Sequence, residues 1–161
     1  KIFSMTKGGK LIEGIFKGET INTPSMLAVE DYLVALDWAR SVGGLKGLMA
    51  RADANATVIF DFCDTHDWIA NLADDDATRS NTSVCLKFTD DRINDGAAFA
   101  KAVAKRLEAE GVALDVGAYR DAPAGLRIWC GGTVETSDVE ALMPWLDWAF
   151  NAEIEAQTEA A

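Results

Sequence analysis

The sequence predicts an α+β domain, a small and mostly antiparallel sheet covered by helices. Three observations carry that expectation. The apolar patterns run in the order helix, helix, strand, helix, strand, strand, helix. Hydrophobic residues make up 49% of the chain, and five tryptophans are spread from Trp38 to Trp148, which reads as globular rather than disordered. The length, 161 residues, suffices for one compact domain with a core, or for a core plus an arm.

Lys1 to Thr20 is rich in glycine and lysine and reads as an extended arm or connector. It is not a phosphate-binding Walker loop, because no Gly-x-x-x-x-Gly-Lys-Ser/Thr spacing occurs. A helix start follows at Asn22-Thr23-Pro24, with Thr23 as the cap and Pro24 at the first helical position. Leu27, Leu33, Leu36 and Trp38 recur at helical spacing up to Val42, and Gly43-Gly44 ends the run. A second helix is expected from Leu45 to about Phe62. Ser83 to Phe88 reads as a strand. Gly96 to Gly111 reads as a helix, with Phe99, Val103 and Leu107 on one face and Lys101, Lys105 and Glu108 on the other. Two short strands are expected around Leu114–Ala118 and Leu126–Cys130, joined by a turn containing Asp121, Pro123 and Gly125. Ser137-Asp138-Val139-Glu140 fits a capping box that opens a last helix, running to about Glu155.

The net charge is −11. Such a balance argues against sequence-independent nucleic-acid binding, which depends on Lys and Arg at phosphates. A few local arginines can still hold a small anion. No stretch approaches the ~18 consecutive apolar residues of a membrane span, and no signal peptide opens the chain. The acidic clusters at Asp74–Asp76 and Asp90–Asp91 lack the spacing of a calcium loop and read as solvated loops. The three cysteines, Cys63, Cys85 and Cys130, read as reduced, buried thiols of a cytoplasmic protein. His66 is the only histidine, so neither a metal site nor a histidine-based nucleophile is expected.

Three places could carry chemistry. At Asn22-Thr23-Pro24 a helix N-terminus attracts anions, and the amide and hydroxyl can replace the donor that proline lacks. An ordinary cap is the other reading. Tyr119-Arg120 and Arg127 flank a tight turn, and Arg127 opens an apolar strand. A guanidinium there needs an anionic partner. The partner is either a protein carboxylate such as Asp121 or a substrate carboxylate gripped by both oxygens. Arg120 could face the same cleft. Thr78 to Thr82 is polar enough to line a site, although a structural role accounts for it.

Three segments together resemble the phosphoserine aminotransferase family: Gly18-Glu19-Thr20-Ile21-Asn22-Thr23-Pro24-Ser25-Met26, Arg79-Ser80-Asn81-Thr82-Ser83-Val84, and the run from Gly117 to Gly131. They cover nearly the whole chain in the right order. The resemblance implies the C-terminal part of a fold-type I, class V enzyme that uses pyridoxal 5'-phosphate and works as a cytoplasmic homodimer. Residues 1–22 would then be an arm from a large domain, and 23–161 the small domain with its linking helices. By the same resemblance, Asn22 and Thr23 reach the cofactor phosphate of the neighbouring subunit. Arg127 binds the substrate α-carboxylate, and Arg120 holds the substrate phosphate or the distal carboxylate of glutamate. Tyr119 stands where many members carry a histidine. The implied reaction moves an amino group between glutamate and 3-phosphohydroxypyruvate, giving phosphoserine and 2-oxoglutarate. The cofactor lysine is expected upstream of Lys1, so the chain alone is expected to be inactive. Two rivals stay open. One is a class V enzyme of the alanine–glyoxylate type. The other is a non-catalytic α+β binding module, which a reading frame beginning near Lys1 would favour.

Overall fold

The computed structural model describes residues 5–20 and 22–159. Lys1 to Ser4 and Ile21 of the expected arm, and the last two residues of the tail, lie outside the described residues. The chain divides into two compact units, Lys1–Ser41 and Val42–Ala161.

In the first unit the arm is more regular than its composition suggests. Strands β1 (Thr6–Lys7) and β2 (Lys10–Leu11) pair antiparallel as a hairpin. Gly8 and Gly9 turn it with φ of 58° and 76°, a conformation open to glycine in both central positions. A 3-10 turn follows at Glu13–Lys17. Helix α1 (Met26–Ser41) starts two residues later than the sequence suggests. Ser25, not Thr23, caps it: its hydroxyl accepts from the Ala28 N–H at 3.4 Å, and its carbonyl from Val29 at 3.1 Å. Pro24 therefore lies just before the helix, where its fixed φ suits the approach. None of the residues of α1 is buried, and Leu27, Tyr32 and Val34 are among those that stand exposed.

The second unit is the α+β layer. Its elements are α2 (Gly44–Asp64), β3 (Ile69–Asn71), β4 (Ser83–Phe88), α3 (Gly96–Ala109), β5 (Leu126–Trp129) and α4 (Thr136–Glu159). The three strands form one antiparallel sheet in the order β3-β4-β5. Strand β3 has too few residues to show alternation in the sequence and was not expected. Leu114–Ala118, expected as a strand, is only a single bridge between Gly117 and Leu126. Asp115 has a φ of 54°, which breaks extended geometry in the middle of that segment.

Alternation along β4 and β5 divides the sheet. Val84, Leu86, Leu126 and Ile128 face the core, where Ile59 and Phe62 of α2, Phe99, Val103 and Leu107 of α3, and Leu146 and Phe150 of α4 meet them. Trp68 stacks on Phe150 with ring centroids 4.0 Å apart. The other face carries Cys85 opposite Arg127 and Ser83 opposite Trp129, and Trp129 is exposed.

Local chemistry fixes the helix ends. Asp95 caps α3, accepting from Ala97 and Ala98 at 3.1 and 3.0 Å. The expected capping box of α4 does not form. The helix begins at Thr136, so Ser137 already lies inside its first turn, and the Glu135 carbonyl takes the first helical N–H groups. Thr136 instead donates its hydroxyl to Asn55 Oδ1 at 2.6 Å. His66 caps the end of α2: its ring stacks on Phe62 at 4.0 Å, and Nδ1 donates to the Phe62 carbonyl at 2.8 Å. Among the described residues no helix is long and apolar enough to cross a membrane, and no three or more His, Cys, Asp or Glu residues cluster to hold a metal ion.

Candidate functional site

Arg127 projects from edge strand β5 on the face opposite the core residues Leu126 and Ile128. Its side chain retains 12% exposure. The carboxylate it meets belongs to Asp115, with Nη2 donating to Oδ2 at 3.0 Å and to the Asp115 carbonyl at 3.4 Å. Asp121, the protein partner expected from the sequence, lies beside Arg120 instead, 3.4 Å away, and both side chains are exposed. Proximity in sequence suggested Asp121. The bridge from Gly117 to Leu126 brings Asp115 closer.

The Arg127 guanidinium is covered on its flat side by Tyr119, 4.3 Å from the ring centroid. An aromatic face there restrains the cation and keeps water off it. Nε of Arg127 is buried and has no hydrogen-bond partner. Leaving such a donor unpaired costs about 1–3 kcal/mol. Arg127 lines a cleft of about 320 Å³ between the 113–116 segment, Trp129 and the first turns of α4, with Asp115 and Asp138 as its acids.

Arg120 is in a second cleft, of about 480 Å³, with Lys101, Tyr119 and the Ala124-Gly125 turn. The two arginines are thus not gathered into one cavity. Tyr119 touches both settings: it packs against the Arg127 guanidinium and lines the Arg120 cleft. Asn22 and Thr23, in the first unit, are exposed, and their side chains make no hydrogen bond to a described residue. A primary amide and a hydroxyl in that state are donors suited to phosphate oxygens.

In the third segment, Thr78, Arg79 and Ser80 line a cleft of about 250 Å³. Arg79 bonds Asp76 at 2.6 Å and the Ala73 carbonyl at 3.1 Å, and Asn81 donates to Asp53 at 2.6 Å. Cys63, Cys85 and Cys130 are free thiols, and only Cys130 is fully buried. Burial, reinforced by Asp64, pushes the Cys63 thiol up to about 11, and burial also raises Cys130.

Two groups have parts the sequence did not suggest. Asp115 is one; an aspartate two residues before a glycine is a weak signal of left-handed backbone. The other is the pair Arg51 and Asn55, one turn apart on α2. Arg51 donates to the Gly132 carbonyl at 2.7 Å and to Glu135 at 2.6 Å. Asn55, with no exposure, donates to the carbonyls of Cys130 and Val134 at 3.1 and 3.0 Å. Together they tie down the loop that continues β5, and so fix the strand that presents Arg127.

No family model matches the chain. It is 52% identical over 153 residues to a phosphoserine aminotransferase of Methanosarcina barkeri, and 51% to that of Methanosarcina mazei; in each case this covers 94% of the chain and 40% of the relative. A putative phosphoserine aminotransferase of Mycobacterium leprae is 30% identical over 138 residues, covering 85% of the chain and 35% of the relative. The solved phosphoserine aminotransferase of Bacillus circulans subsp. alkalophilus shares the fold, with a TM-score of 0.70 at 22% identity, over 81% of this chain and 34% of that one. Another phosphoserine aminotransferase, from a study of radiation damage to its Schiff base, has a TM-score of 0.73 at 17% identity, over 88% of this chain and 38% of that one. The chain therefore spans about two fifths of the length of the phosphoserine aminotransferases it matches, and over nearly all of its own length it is homologous to them.

Proposed function

We propose that the chain is the substrate-orienting, C-terminal part of a phosphoserine aminotransferase. The whole protein would move an amino group between glutamate and 3-phosphohydroxypyruvate, as a cytoplasmic homodimer. The observation that carries this is Arg127: a nearly buried guanidinium in a cleft, backed by an aromatic ring, with one donor unsatisfied. Such a group binds a carboxylate with a defined orientation. The homology to phosphoserine aminotransferases supports the same reading.

Each residue then has a part. Arg127 grips the α-carboxylate that glutamate and phosphoserine share. Tyr119 holds the guanidinium flat and excludes water from it. Arg120, exposed at the neighbouring cleft, meets the second anionic end of the substrate, the phosphate or the distal carboxylate. Asn22 and Thr23 supply hydrogen-bond donors to the phosphate of pyridoxal 5'-phosphate bound in the neighbouring subunit. That cofactor, when bound, accepts and returns the amino group, while the protein orients and discharges the substrate. We assign none of Lys46, Lys101 and Lys105 to it, since all three stand exposed on helices. Lys87 is engaged by Asp74 at 2.7 Å. Residues 1–22 are read as the arm of a large domain and 23–161 as the small domain.

The test is turnover by the full-length protein with glutamate and 3-phosphohydroxypyruvate. Arg127→Ala should lower kcat/KM about 100-fold or more, the cost of removing one partner of a desolvated charge pair. Arg127→Lys should recover little, because it lacks the fork. No turnover by the wild type sinks the proposal. The placement of Arg120 outside the Arg127 cleft favours a second reading, an enzyme of the alanine–glyoxylate type whose substrate has one anionic end. If Arg120→Ala weakens alanine and phosphoserine equally, the phosphoserine reading loses to that one.

A further inference from the structure

Arg127 offers two donors along one edge of its guanidinium, Nε and Nη2, and the two are in different states. Nη2 is taken by Asp115 at 3.0 Å, whereas Nε is buried and unpartnered. A carboxylate binds an arginine best with both oxygens, one on each of two N–H groups. Asp115 engages one of them.

The pair is also lopsided in exposure. The Asp115 side chain is 89% exposed and that of Arg127 is 12%. The guanidinium is therefore sunk into the cleft, and its counter-ion is at the rim, where it has room to swing. The backbone holds it there in an unusual state. Asp115 is the one described residue other than glycine with positive φ, at 54°. The chain after it is fixed to β5, where Arg127 N–H donates to the Val116 carbonyl at 2.8 Å and Gly117 bridges to Leu126. A left-handed aspartate costs backbone energy that an ordinary turn avoids.

We infer that Asp115 is a resident, displaceable counter-ion of Arg127: it neutralises the guanidinium when no ligand is present and gives way to a carboxylate that engages Nε and Nη2 together. This rests on reading Arg127 as the carboxylate grip. The exchange favours some ligands over others. A carboxylate replaces the bond to Asp115 and adds one to Nε. An anion that makes a single contact replaces the bond and adds nothing. Asp115 thus sets a threshold that two-oxygen anions pass and chloride does not, and it acts as a positioning residue through Arg127.

The experiment uses the full-length protein labelled with ¹⁵N-arginine. The Arg127 Nε–H resonance is identified by its loss in Arg127→Lys. Glutarate and chloride are titrated separately into the wild type, Asp115→Asn and Asp115→Gly. Both substitutions remove the charge and tolerate positive φ, so the loop keeps its course. Exposed ion pairs of this kind are weak, so glutarate should bind about two- to five-fold more tightly in both variants. Chloride, without effect on Nε–H in the wild type, should shift it in the variants. In steady state, KM for glutamate should fall by the same factor with kcat unchanged. Weaker or unchanged glutarate binding in both variants, or a wild type in which glutarate leaves Nε–H unmoved, overturns the inference. A wild type that binds glutarate at Arg127 yet turns nothing over defeats the aminotransferase reading, while the titrations still decide the role of Asp115.

Discussion

Replacing Asn55 tests how the site strand is held. Its amide lies in the interior of the second unit with no exposure. It donates to the carbonyls of Cys130 at 3.1 Å, Gly131 at 3.3 Å and Val134 at 3.0 Å, and accepts the Thr136 hydroxyl at 2.6 Å. In Asn55→Ala these partners do not suffer equally. Val134 keeps a contact from Arg51 at 3.4 Å, and Gly131 keeps the Val134 N–H at 3.0 Å. Among the described residues the Cys130 carbonyl has no second hydrogen-bond donor outside Asn55, and orphaning it costs about 1–3 kcal/mol. With the weakened remaining bonds the loss comes to about 2–4 kcal/mol, a large part of the ~5–15 kcal/mol of a typical domain. Urea unfolding followed by tryptophan fluorescence measures it, and the denaturant slope should not change. Asn55→Asp should lose more than Asn55→Ala, because it turns a carboxylate towards three carbonyl oxygens. A loss below about 1 kcal/mol for alanine, or wild-type stability for aspartate, would refute this account of the loop.

Two further predictions follow from packing and burial. A Cβ on Gly125 would fall far inside contact with the Leu86 carbonyl of β4. Gly125→Ala should therefore part β4 from β5, with a cost of about 3 kcal/mol or more in thermal or urea unfolding; wild-type stability would contradict the close approach. Cys63, with its thiol pushed up to about 11, should resist alkylation at pH 8, where only about a thousandth of it is thiolate. The folded thiol also keeps its proton above its ordinary value of 9.0, where the unfolded one releases it. This contribution to stability is intact below about pH 9 and is lost as the pH rises towards 11. Mass-spectrometric mapping of iodoacetamide adducts against pH checks the reactivity, and rapid labelling of Cys63 at pH 8 would count against it.

The long helices were legible in the sequence because their apolar positions recur over many turns: α2, α3 and α4 lie within a few residues of their expected bounds. Their starts were less legible. Thr23 and Ser137 are good capping residues by type, but Ser25 and the Glu135 carbonyl take those roles. Composition alone cannot tell which of several adjacent candidates the chain geometry selects. Strand β3 has only three residues, and its pairing with β4 is a long-range fact that no local pattern records. Arg127 was legible because a charge in an apolar strand demands a partner. That the partner is Asp115 rather than Asp121 depends on how the 113–117 segment folds back along β5. For the same reason Arg120 and Arg127, seven residues apart, face different clefts.

The alternation in β5 has a practical consequence for engineering. Leu126 and Ile128 close the core, while Arg127 and Trp129 belong to the open face with Cys85 and Ser83 opposite them. One short strand thus carries two independent sets of positions. A combinatorial library confined to 83, 85, 127 and 129 would leave the interior packing untouched, so its members could be sorted for new anion preferences without a parallel screen for folding. Randomising 126, which is buried and does not line the Arg127 cleft, would do the reverse, sampling stability while the ligand-facing surface stays constant.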